Sequence, residues 1–67
     1  MSPTAVEYIA QVLELRRFRV EHGPDSTEVT DQLDSMDLLW YNGMTPVDYL
    51  EVISWVEDNK ETISVTG

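Results

Sequence analysis

A chain of 67 residues with 13 Asp and Glu against 4 Lys and Arg, a formal net charge of −9 and no cysteine has few options. It can form one domain, burying roughly 60% of the surface its unfolded chain exposes. That excludes a deep enzyme cleft, and without cysteine neither a disulfide nor a thiolate metal site can staple the core. The charge disfavours nucleic acid, whose phosphates need clustered Lys and Arg, and favours a partner with a basic protein surface.

The apolar runs fall far short of the ~18 residues of a membrane span, and the first residues lack the basic-then-apolar order of a signal peptide, so a cytoplasmic protein is expected. Ser2-Pro3 and Thr4-x-x-Glu7 are overlapping helix starts, one with proline at the first helical position and one a capping box. Ala5, Ile9, Val12, Leu13 and Val20 then define the core face of a first helix that Gly23-Pro24 stops. Arg16, Arg17 and Arg19 sit in its last turns, suited to the negative end of the helix dipole. They balance Glu7, Glu14 and Glu21, so residues 1 to 23 carry no net charge and the whole −9 lies from Pro24 onward.

Asp25 or Ser26 can cap a second helix, on which Val29, Leu33, Met36 and Trp40 form a narrow apolar stripe. Asn42-Gly43 breaks it. Thr45-Pro46-Val47-Asp48 supplies N-cap, N1 proline and N3 carboxylate for a third helix, expected from about Pro46 to about Lys60, with Tyr49, Leu50, Val52, Ile53 and Val56 on its apolar side. Thr62-Ile63-Ser64-Val65-Thr66 alternates and is β-branched, which reads as a disordered end or a short strand. The expected architecture is all-α: a small three-helix domain, a helical hairpin plus one helix, over residues 1–61, with a tail over 62–67. Short connections predict antiparallel neighbours. They would bring the arginines against Glu28, Asp31 and Asp34, with the Arg16 stem on the core and its guanidinium on a carboxylate of the second helix.

Chemistry-bearing patterns are sparse. Asp31, Asp34 and Asp37 lie along one side of the second helix, a spacing that can hold a hydrated cation but more simply forms a solvated acidic face, so no metal site is expected. His22 is the only histidine, and no serine or cysteine stands in a nucleophile motif. Neither catalysis nor a cofactor is expected. More informative are large side chains off the core stripes: Leu38 and Tyr41 project with Asp34, and Trp55 points toward Asp48, Glu51 and Asp58. Aromatic rings within a charged rim are the composition of an interface anchor, although the same rings could pack on the first helix or the tail.

The segment from Leu33 to Pro46, with its acidic helix ending in Leu39-Trp40-Tyr41 and a Thr45-Pro46 capped helix after it, resembles short bacterial helical proteins of no known activity. The resemblance implies the helical fold and nothing about chemistry. Asp34-Ser35-Met36-Asp37 also resembles the Asp-Ser-Leu motif of acyl and peptidyl carrier proteins, which would imply phosphopantetheine on Ser35. Gln32-Leu33 departs from the glycine-containing approach of that family, and the predicted second helix starts well before the serine. The leading expectation is a non-enzymatic acidic module that docks on a basic protein or on itself. Leu38, Tyr41 and Trp55 would anchor it, and Asp34, Asp37, Asp48, Glu51 and Asp58 would steer the encounter.

Overall fold

A computed structural model describes residues 1–64, and 83% of them are helical. Helix α1 spans Pro3–His22, α2 Thr27–Asn42, α3 Pro46–Asp58 and α4 Lys60–Ile63. The domain is all-α, and among the described residues there is no strand. Thr62 and Ile63, expected in a strand or a disordered tail, belong to α4, while the remainder of that expectation, from Val65 on, lies outside the described residues.

Local chemistry accounts for each boundary. Of the two candidate starts, Ser2 is the one used: its Oγ accepts from the Ala5 N–H at 3.2 Å, with Pro3 in the first helical position. Gly23 ends α1 with φ 89° and ψ 159°, a backbone region essentially restricted to glycine. Ser26 caps α2, accepting from the Val29 N–H at 3.3 Å and donating to the Gly23 carbonyl at 2.9 Å, so one side chain closes the turn and opens the next helix. The Thr45 box is complete: the Asp48 N–H donates to Thr45 Oγ1 at 3.3 Å, and the Thr45 N–H donates to Asp48 Oδ2 at 3.0 Å. Asn59 interrupts the third helix one residue before its expected end, with its side-chain amide on the Trp55 carbonyl at 2.8 Å.

The first helix is the hub. Both α2 and the α3–α4 segment pack against it, with α2 running antiparallel and α3–α4 parallel to it. The directions follow from the contacts: His22 meets Glu28 and Tyr8 meets Trp40, whereas Ser2 meets Asp48 and Glu51, and Arg16 and Val20 lie beside Glu61 and Thr62. The overall extents, 32 × 24 × 13 Å, describe a splayed trio one side of which is much broader than the other. A closed triangle of helices 8–10 Å apart would be nearly square in section. Ala5, Ile9 and Val52 form the core between α1 and α3, with Tyr8, Trp40, Met44, Trp55 and Val56 packed on it. Trp40 fills the space between α2 and α3, its ring 5.1 Å from Tyr8 and 4.5 Å from Tyr49, whose hydroxyl donates to the Trp40 carbonyl.

This arrangement corrects part of the expected core. Leu13, Val20, Leu33, Leu50 and Ile53 are exposed, although their spacing placed them on apolar faces. For Leu13 and Val20 the reason is length: α1 is about 30 Å long, α3 only about 20 Å, and the four residues of α4 cover little of what is left. The arginine cluster does not reach α2. Arg17 instead hydrogen-bonds to Glu14 and lies 3.5 Å from Glu21 within its own helix. Gln11, on the α2 side, receives Gln32 Nε2 on its carbonyl at 3.2 Å, and Arg17 is about 120° around the helix from it. The bridge between the helices falls to His22 Nδ1 and Glu28, 3.1 Å apart. Arg16 is half-buried as expected, but its Nε is buried without a hydrogen-bond partner, and the carboxylates of its groove are Glu21 of α1 and Glu61 of α4, not those of α2.

Candidate interaction surface

Four of the eight expected interface residues share one place. On the outer side of α2, Leu38 is 66% and Tyr41 76% exposed, and Asp34 and Asp37 beside them are also exposed. Residues three and four apart on a helix are surface neighbours, so Asp34, Asp37, Leu38 and Tyr41 make one continuous patch, extended by Asp31. Tyr8 borders it from α1: burial, the Asp37 carboxylate and the Tyr41 hydroxyl together push its phenol above the ordinary tyrosine range.

The α3 residues do otherwise. Asp48 is buried, its carboxylate accepting from the Thr45 N–H and from the Ser2 hydroxyl, and those donors hold it below the ordinary aspartate range. The Ser2 hydroxyl caps α1 while Asp48 caps α3, so the two helix starts share one network. Glu51 is half-buried, its Oε2 accepting from the Ser2 N–H at 2.9 Å. Both carboxylates were expected to steer a partner; they are instead committed to joining the starts of α1 and α3. Trp55, expected as an anchor off the core, is half-buried and packs on the Ala5–Ile9–Val52 cluster, because its side of α3 faces α1. It keeps one edge on a shallow groove of about 470 Å³ lined also by Met1, Leu50 and exposed Asp58. The expected α2 and α3 sets therefore do not converge: the α2 residues face outward, whereas Asp48, Glu51 and Trp55 of α3 turn toward α1.

Ser35 is exposed in the middle of continuous α2, whereas the carrier resemblance implies a helix opening at the serine. Asp31, Asp34 and Asp37 fan out around α2, and among the described residues no three His, Asp or Glu side chains converge on a point where a metal could sit. Leu13 and Val20, expected on the core face, instead form with Val6 an exposed stripe along α1 at the same seven-residue spacing that Glu7, Glu14 and Glu21 show.

The fold and this surface define a small all-α acidic domain with one aromatic patch set among carboxylates. Comparisons with protein-family models, with curated proteins and with solved structures give no match to the chain. Among the described residues no helix is long and apolar enough to cross a membrane.

Proposed function

We propose that the protein is a non-enzymatic interaction module that docks the outer side of α2 on a basic protein surface. Leu38 and Tyr41 are the anchors, and Asp31, Asp34 and Asp37 steer the encounter. The observation that carries this reading is the exposure of two large side chains side by side on a rigid helix, within a ring of like charges. In water a leucine and a tyrosine so placed gain little. Against a partner they supply buried area at low entropic cost, while the carboxylates raise the association rate and select for opposite charge.

Affinity capture with the full chain tests this reading. The expected result is a partner of basic character whose retention is lost with Tyr41→Ala and Leu38→Ala and weakens about tenfold or more when salt rises from about 50 to 300 mM. Retention unaffected by both substitutions, or by salt, would remove α2 as the docking face. Asp58→Asn serves as the control, because Asp58 is an exposed carboxylate at the end of α3, beside the Trp55 groove and outside this patch.

A further inference from the structure

Val6, Leu13 and Val20 are exposed at seven-residue intervals, with exposed Ala10 and Arg17 between them, and they run along an edge of α1 on which Leu13 and Val20 border the groove flanked by Glu61 and Thr62 of α4. The stripe is the outer flank of the apolar face whose inner part, Ala5 and Ile9, the fold buries. We propose that this exposed flank is the contact face of a two-fold homodimer, with α1 packed antiparallel on α1 of the partner subunit and Leu13 at the axis. This face is separate from the α2 patch, so each subunit keeps that patch free.

Three features select a second copy as the occupant. The stripe is symmetric about its midpoint: an antiparallel two-fold through Leu13 lays Val6 on Val20 of the partner subunit and Leu13 on its own mate, and such self-complementarity is what an isologous interface requires. Charge points the same way. A chain of net −9 repels its own copies over most of its surface, but residues 1 to 23 are neutral, and Arg17 lies between Glu14 and Glu21 beside the stripe. Size is adequate as well. With the α3–α4 segment one helix spacing of about 10 Å beside the roughly 30 Å α1, the face offers roughly 600 Å² per subunit in projection, against ~800 Å² per partner in an ordinary specific interface.

Sedimentation equilibrium of the full chain from about 1 to 300 µM should show a monomer–dimer equilibrium, with Leu13→Glu raising the dissociation constant about tenfold or more. That substitution places two carboxylates together at the axis. Leu13 is exposed in the monomer, so helicity by circular dichroism should not change. As a second measurement, Leu13→Cys introduces the only thiol of the chain, and oxidation should link two subunits rapidly because the Cα atoms meet within about 7 Å. Leu38→Cys, on the outer side of α2, should link far more slowly. A chain that stays monomeric at the highest concentration, or a Leu38→Cys variant that links as fast as Leu13→Cys, overturns the dimer.

Discussion

Val52 and Leu50 stand two residues apart on α3 and provide a sharp test of which side of that helix is inside. Val52 is 2% exposed in the cluster with Ala5 and Ile9, and Leu50 is 68% exposed. Val52→Ala removes two methyl groups from contact with neighbours that cannot fully close around the gap. The transfer loss is about 1.6 kcal/mol, and the residual cavity brings it to roughly 2–3 kcal/mol. A domain this small has a total stability of roughly 3–10 kcal/mol, so the melting temperature should fall by roughly 10–20 °C. Leu50→Ala deletes a larger side chain that is mostly in water already, and alanine is at least as good a helix former, so its cost should stay below about 0.5 kcal/mol. Urea unfolding followed by far-ultraviolet circular dichroism at about 1 µM measures both, below the concentration at which association would add stability. Equal losses for the two variants, or a larger one for Leu50→Ala, would refute the assignment of the buried side and with it the packing of α3 on α1.

Other consequences are equally open to measurement. The donors on Asp48 hold its folded carboxyl below the ordinary value near 3.9, so its stabilisation is present above that value and is lost as pH falls through the lower folded one. Melting curves from pH 7 to pH 2 should therefore show Asp48→Asn less stable than the parent at neutral pH, with the gap closing in acid; a gap independent of pH would contradict it. Tyr8 has the opposite sign: its folded phenol is raised, so the neutral form is favoured and that preference is lost as pH climbs past about 10. Tyr8→Phe should lessen the fall in melting temperature above that pH, and an unchanged alkaline limb would argue against burial and Asp37 as the cause. Gly23→Ala should cost roughly 1–3 kcal/mol by conformation alone, because a Cβ there meets nothing within 4 Å. Thermal unfolding of that variant checks it, and a neutral effect would mean that the turn adopts a different backbone.

What could be read in the sequence was whatever depended on near neighbours. The Thr45-Pro46-Val47-Asp48 start and the stops at Gly23 and Gly43 are chemistry between residues a few positions apart, and they stand as expected. Of the two overlapping starts, Ser2 was used, and its advantage is distant: its hydroxyl also reaches Asp48, 46 positions away. No local pattern could reveal that, and for the same reason Asp48 and Glu51 read as free surface charges. The apolar faces were drawn too wide, since periodicity gives the arc of a helix that could be buried, whereas the lengths of neighbouring helices decide how much of it is. Leu38 and Tyr41 kept their expected exposure because, among the described residues, none packs on the outer side of α2. Trp55 did not, because its side of α3 turned out to face α1.

The central position of α1 has a consequence for how the domain opens. Since α2 and α3 are each fastened mainly to α1, either can lift away while the other remains seated, and α1 itself comes free only when both have gone. Amide hydrogen exchange should therefore be slowest in the middle of α1, around Ile9 and Val12, and fastest in α4. A protein so built can loosen one flank to meet a visitor without surrendering its spine.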